Sequence, residues 1–350
     1  MFDVITIGSA TIDVFVESDA ANIVSVSTKE KDTEFMAFPY GSKLEIDGFS
    51  TCVGGGGVNT AVNFANLGFK TSAIFKIGHD FFAKAILKTF ENSTLDKSSI
   101  IHCKEEKSGF SIVLISFQGD RTVLAHRGTN ATICEAEINF EAIKNSKWLY
   151  IAPLNGDSTA VLDKIAKFAE ENGVHMAINV GTTSIKQGAS ALHKVLETAE
   201  VLIMNKEEAS MYTEISPRPD TKMEKFSDNV IHPDVATMLN ELKCTSAKIV
   251  IITDGKNGAY AYDGKKYYFT PQYPAKVVST LGAGDAFAST FVAALEKTDW
   301  DIEKSLAYAT VNAASVVEQF SAQSGLLTFD EIQKRLETSL DYKVTVLDKV

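Results

Sequence analysis

Six short apolar runs, separated by helix-forming stretches, constrain this chain more than any other feature. They lie at Val4–Ile7, Ser72–Ile77, Trp148–Ala152, Met176–Val180, Val201–Met204 and Ile249–Thr253. A strand that is apolar along its whole length must be covered on both faces, which is the situation in a parallel sheet between helical layers. The amphipathic stretches Val58–Leu67, Phe81–Phe90, Ala160–Glu171, Ala189–Thr198 and Val235–Leu242 supply the covering helices. Two long helices near Asp285–Glu296 and Ile302–Phe320, and a shorter one from Phe329, close the chain. The pattern predicts an α/β fold with a mostly parallel central sheet. At 350 residues the core needs no disulfide or metal to hold it.

Two regions break the alternation. Residues 11 to about 52 carry short period-two stretches and turn residues without a good helix. Ser111–Phe117 and Thr122–His126 flank a bend at Gly119-Asp120 and read as a β-hairpin. Strand-rich insertions of this kind form a small separate sheet, suited to a lid, or an antiparallel extension of the main one. The expected organisation is one domain over residues 1–350, with the lid inserted from about 11–52 and 108–128. Residues 214–233 hold three of the seven prolines and read as a surface loop.

The formal charge of −11 argues against a nucleic-acid or anionic-membrane partner, both of which need clustered Lys and Arg. No run approaches the roughly 18 apolar residues of a membrane span, and the start lacks a signal-peptide pattern. Cys52, Cys103, Cys134 and Cys244 lie far apart without a CxxC pair, as suits reduced thiols. These features predict a cytoplasmic protein with a small-molecule ligand.

The sharpest chemical signal is Thr280-Leu281-Gly282-Ala283-Gly284-Asp285-Ala286-Phe287. Small residues at 282–284 run straight into a helix, whose first N–H groups have no intrahelical partner and whose dipole favours an anion such as phosphate. Asp285 would be either a helix-capping residue or a carboxylate placed beside that anion hole to take a proton from an attacking hydroxyl. The second signal is Gly54-Gly55-Gly56-Gly57-Val58-Asn59, where glycines allow close packing around a small polyhydroxy ligand, or simply a flexible loop. Its spacing is not that of a dinucleotide fingerprint. Asn205-x-x-Glu208, the turn Thr253-Asp254-Gly255-Lys256-Asn257-Gly258, and Asp13 each fall near a strand end, where open parallel sheets bind ligands. Taken singly, each is also ordinary turn chemistry. Walker A, HExxH, GxSxG and protein-kinase HRD patterns are absent.

In this order and at these separations, the glycine–Asn59 element, the Asn205/Glu208 pair, the Thr253–Gly258 turn and the Gly282–Asp285 element resemble the ribokinase-like (PfkB) family of carbohydrate and nucleoside kinases. The resemblance runs from Gly8 to about Phe329. It implies a three-layer sandwich with a small β-sheet lid, and ATP-dependent phosphorylation of a sugar or sugar-like hydroxyl; a nucleoside acceptor is the alternative. It further implies Asp285 as general base and Gly282, Ala283 and Gly284 as the anion hole. Asp13, Gly55 and Asn59 would bind the acceptor. Asn205, Glu208, Thr253, Gly255, Gly258, Asn312 and Ser315 would bind ATP, with Glu208 serving Mg²⁺ through water. A homodimer through the lid is a further expectation. Ser279 stands where cation-activated members carry an aspartate, so the resemblance leaves monovalent-cation dependence open. Gly56 replaces a lysine of ribokinase proper, and Thr11 an asparagine common in the family. A non-catalytic ligand sensor on the same fold, and more remotely a dehydrogenase, are the readings from other classes.

Overall fold

Alternate residues of the first strand, Phe2–Ile7, belong to different cores. Ile5 and Ile7 enter one apolar cluster and Val4 another. The strand Ser146–Ile151 divides in the same way, with Leu149 and Ile151 on one face and Trp148 and Tyr150 on the other. This two-sided burial follows directly from continuous apolar strands. The structure is a computed structural model, and it describes the chain except residues 30–31, 92, 117–120, 189–191, 217–231, 340 and 349–350. The Gly119-Asp120 bend, most of the proline loop and the start of the Ala189–Thr198 helix lie outside the described residues.

Six strands run parallel in the order Thr71–Ile74, Phe2–Ile7, Ser146–Ile151, His175–Asn179, Val201–Asn205 and Ile249–Thr253. Three antiparallel strands, Ala259–Tyr262, Lys266–Thr270 and Thr345–Asp348, extend the sheet to nine. Helices including Leu162–Glu171 and Pro233–Leu242 cover one face, while Gly56–Asn66, Ala283–Lys297 and Ile302–Val317 cover the other. From the first strand the chain passes to Thr71–Ile74 on one side and later to Ser146–Ile151 on the other. The connections part there, and a crevice opens beyond the strand ends.

A second sheet of four strands, in the order Arg121–His126, Gly109–Ile115, Thr11–Glu17 and Gly48–Gly54, stands apart from the first. A third apolar cluster, containing Ile12, Val58 and Phe75, fills the space at its base. Not all of the strand-rich insertion joins it. Among the described residues Asn22–Ser27 and Asp32–Ala37 pair only with each other, and Val24, Val26 and Phe35 are exposed. The run Ser72–Ile77 is also divided: Lys76–Ile77 leaves the central sheet to pair with Ile101–His102. Cys52, Cys103, Cys134 and Cys244 are all free. Among the described residues no helix is long and apolar enough to cross a membrane.

Candidate active site

The helix Ala283–Lys297 begins on Gly282, whose φ of 76° lies in the left-handed region. A Cβ there would fall 2.3 Å from the Ala322 Cβ, so only glycine fits both the backbone and the neighbour. Asp285 is the third residue of the helix, and its carboxylate does not cap it. Ala283 N–H makes a long bond of 3.4 Å to the Thr280 carbonyl, and no protein partner is recorded among the described residues for the amides of Gly284 and Asp285. Such amides, with the positive end of the helix dipole, make this helix start a candidate anion site.

Asp285 accepts a hydrogen bond from Asn59 Nδ2 at 2.8 Å, through Oδ2. Burial pushes its carboxyl above the ordinary value of 3.8, and the Asn59 bond acts in the opposite direction. Beneath it, burial and then the Asp285 charge raise the phenol of Tyr150 well above its usual range, so this buried hydroxyl stays neutral. A carboxylate whose proton affinity burial raises, and whose Oδ2 one amide donor fixes in place, is suited to accept a proton once ionised.

The glycine run has a packing role that the sequence did not distinguish from ligand contact. Gly55 (φ 94°) precedes the helix Gly56–Asn66, and a Cβ on it would meet the Ser9 carbonyl at 2.5 Å. Gly57 and Gly8 lie against each other, with 2.6 Å between a Gly8 Cβ and the Gly57 nitrogen. Gly55 and Gly57 therefore press the helix against the end of the first strand, while a Cβ on Gly56 would lie 3.5 Å from Asp285 Oδ1. Close packing brings Asn59, within the second turn, to Asp285. Asp13 lies on the small sheet, opposite Cys52 and Ser111 in the pairing. Its Oδ1 accepts from Ser111 Oγ, and burial raises its pKa. A Cβ on Gly54 would sit 2.3 Å from Asp13 Oδ2, so Gly54 makes room for that carboxylate.

Beside the anion site runs a cleft of about 310 Å³ lined by Thr253, Gly255, Lys256, Gly258, Thr280, Ala283 and Gly284 at its polar end. Tyr273, Ala275, Val277, Ala313, Ala314 and Val317 line the apolar remainder. Thr253 and Asn205 end neighbouring strands and face each other in register. Gly258, at φ 101°, takes a conformation that a Cβ would block at 2.1 Å from the Thr270 carbonyl. Lys206 Nζ pairs with Asp254 Oδ2 at 3.0 Å across the same strand ends. Asn205 and Glu208 form a capping box: Asn205 Oδ1 accepts from the Glu208 N–H at 2.8 Å, and Glu208 Oε2 from the Asn205 N–H at 3.0 Å. The pair thus has a structural role in its own right. Glu208 is buried, which raises its pKa. Among the described residues no three His, Cys, Asp or Glu converge as a metal cage. One carboxylate suits Mg²⁺, which keeps most of its waters.

Asn312 and Ser315, expected at the nucleotide, are not among the residues that line this cleft. Helix Ile302–Val317 turns residues 310, 313, 314 and 317 to the cleft, the i, i+3, i+4, i+7 stripe of one face. Asn312 falls on another face and is fully buried. Its Nδ2 donates to Asn63 Oδ1 (3.0 Å) and Thr290 Oγ1 (2.8 Å), and its Oδ1 accepts from Leu327 N–H (2.9 Å). Ser315 is buried under Gly325. Two site neighbours gave no sequence signal. Gln323 Nε2 donates to Asn59 Oδ1 at 3.0 Å. Arg121 Nη2, from the small sheet, donates to Thr280 Oγ1 at 2.9 Å beside the anion site.

Comparison with known proteins gives this geometry a context. The profile of the pfkB family carbohydrate kinases matches residues 4–328. The ribokinase of Staphylococcus aureus is 26% identical over 298 residues, covering 84% of this chain and 91% of that protein. The 5-dehydro-2-deoxygluconokinase of Clostridium botulinum is 28% identical over 300 residues, 82% of this chain and 84% of that one. A bifunctional ribokinase/ribose-5-phosphate isomerase A of Fructilactobacillus sanfranciscensis is 25% identical over 95% of this chain, which spans only 56% of that longer protein. Among solved structures, Arabidopsis thaliana ribokinase complexed with ribose and ATP superposes with a TM-score of 0.75 at 20% identity, covering 96% of this chain and 99% of that one. The nucleoside kinase of Methanocaldococcus jannaschii gives 0.73 at 20% identity, over 96% and 98%. At such identities the likeness concerns the fold, which is ribokinase-like.

Proposed function

Because this chain belongs to the pfkB family of carbohydrate kinases, we propose that it transfers the γ-phosphoryl group of ATP to a hydroxyl of a small sugar or sugar-like acceptor. The observation that carries this reading is Asp285 in the first turn of a helix that starts at the end of an apolar cleft, beside the small sheet. In the proposed mechanism Asp13 accepts a hydrogen bond from an acceptor hydroxyl, and Gly55 and Asn59 border the same site. Asp285 Oδ1 removes the proton from the attacking hydroxyl as its oxygen meets the γ-phosphorus. The amides of Gly282, Ala283 and Gly284 stabilise charge on the transferring oxygens. Thr253, Gly255 and Gly258 border the phosphates, and the Tyr273–Val317 wall takes the base. Asn205 and Glu208 fit an outer sphere for Mg²⁺, which when bound neutralises phosphate charge. The small sheet acts as a lid that keeps water from competing for the phosphoryl group.

The names of the S. aureus and C. botulinum relatives support a sugar or sugar-acid acceptor. Exposed Val24, Val26, Phe35, Val123 and Leu124 around the lid support association of two chains through it. Free cysteines support a reducing, cytoplasmic setting. A coupled assay for ADP release over a panel of sugars, sugar acids and nucleosides tests the reading. Acceptor-dependent release with a sugar supports it, and release only with nucleosides replaces the acceptor class. ADP release independent of every acceptor refutes it.

A further inference from the structure

The hydrogen bonds leading to Asp285 have a direction, fixed at a backbone carbonyl. The Val53 carbonyl can only accept, and it takes a hydrogen bond from Gln323 Nε2 at 3.3 Å. The same nitrogen donates to Asn59 Oδ1 at 3.0 Å. With its oxygen committed, Asn59 turns Nδ2 to Asp285 Oδ2 at 2.8 Å. A side-chain amide has almost the same shape when rotated by a half-turn, so only its partners choose which end faces a carboxylate. Nothing on Asn59's own helix makes that choice.

We propose that Gln323 is a positioning residue that locks the Asn59 amide with its N–H toward Asp285, so that the base faces a donor and never a carbonyl oxygen. The proposal rests on the reading of Asp285 as general base. Without the lock, Asn59 can rotate and set its oxygen against the carboxylate, exchanging a charge-assisted bond for repulsion between lone pairs. The ionised form of Asp285 then loses its one side-chain donor in a site where burial already opposes charge.

Among the described residues, the other titratable groups around the base are these. Helix Gly56–Asn66 carries none, and the central sheet presents the neutral phenol of Tyr150. The strand bearing Val53 carries Cys52, whose thiol burial raises and which interacts with Ser321 and, across the pairing, with Asp13. Arg121 Nη2 donates to Thr280 Oγ1. Gln323 is uncharged, so replacing it by leucine changes the base through Asn59 and not by adding or removing a charge.

The test uses the full chain and two variants, Gln323→Leu, which removes the donor, and Gln323→Glu, which offers Asn59 an acceptor and favours the rotated amide. Two readouts are taken: kcat/KM against pH, and the titration of the Asp285 carboxyl by ¹³C NMR. The acid limb and the carboxyl titration should both move up, by about one pH unit in Gln323→Leu and further in Gln323→Glu. On the alkaline plateau kcat should stay within about threefold of wild type, since the base itself is intact. If both titrations stay where they are in the wild type in either folded variant, the lock does not exist. A fall in Tm and in the plateau without movement of either titration would assign Gln323 a merely structural role and overturn the proposal. Asp285→Asn, measured alongside, separates the two readings. If it keeps its turnover the base assignment fails, while the NMR titration of the Gln323 variants still decides the lock.

Discussion

Replacing Asn312 by alanine separates a buried structural amide from a nucleotide contact. The wild-type side chain makes three hydrogen bonds, at 3.0, 2.8 and 2.9 Å, to Asn63, Thr290 and the Leu327 amide. Each contributes about 1 kcal/mol net. The larger cost is what remains: the buried Asn63 Oδ1 and the half-buried Leu327 N–H would lose their partner, at up to roughly 1–3 kcal/mol each, with a small cavity beside them. Overlap between these terms brings the expected loss to about 3–5 kcal/mol. A chain of 350 residues unfolds with an entropy near 0.7 kcal/mol/K, so Tm should fall by roughly 4–7 °C. The assay pairs calorimetry with the KM for ATP below the new transition. The account predicts a large drop in Tm and a KM within about twofold of wild type, because residues 310, 313, 314 and 317 form the cleft wall. An unchanged Tm with a KM raised tenfold would refute it.

The two glycines of the anion site should behave differently. Gly282→Ala forces a left-handed alanine into Ala322 and should lower kcat by about 10²–10³ together with Tm, as measured by steady-state kinetics and calorimetry. Gly284→Ala has open space around its Cβ and a helical backbone, so Tm should hold or rise by about 1 °C while the KM for ATP increases through intrusion into the cleft. Asp285→Asn should raise Tm at neutral pH. Its folded carboxyl titrates above the ordinary 3.8, so the folded state binds the proton more tightly and the ionised group lowers stability as pH rises through the folded value. The gain should therefore shrink as pH is lowered toward about 4, and a gain that grew on acidification would contradict the assigned burial.

The parallel strands were legible because each is apolar throughout, a pattern that only a doubly covered strand requires. The antiparallel edge Ala259–Tyr262, Lys266–Thr270 and Thr345–Asp348 was not, since strands with exposed Lys266 and Val346 blend into turn-rich sequence. Asp285 and the Gly282–Gly284 run stood out in the sequence because the proposed anion site is built from consecutive residues at one helix start. Asn312 and Ser315 fall away from the stripe at 310, 313, 314 and 317 that lines the cleft, because nearness to the cleft depends on helical phase. Asn205 and Glu208 illustrate a further limit: the spacing that suits a metal's outer sphere is also that of a capping box, and here the box is formed. Gln323 lies 264 residues from Asn59, and no local pattern joins them.

The most direct test of the central claim is acceptor-dependent ADP release by Asp285→Asn compared with wild type, at saturating ATP and with the best sugar of the panel. A positioned base contributes roughly 10²–10⁴ to the rate, so Asp285→Asn should lose a factor of that size in kcat and retain ATP binding. Turnover by Asp285→Asn within tenfold of wild type would contradict it.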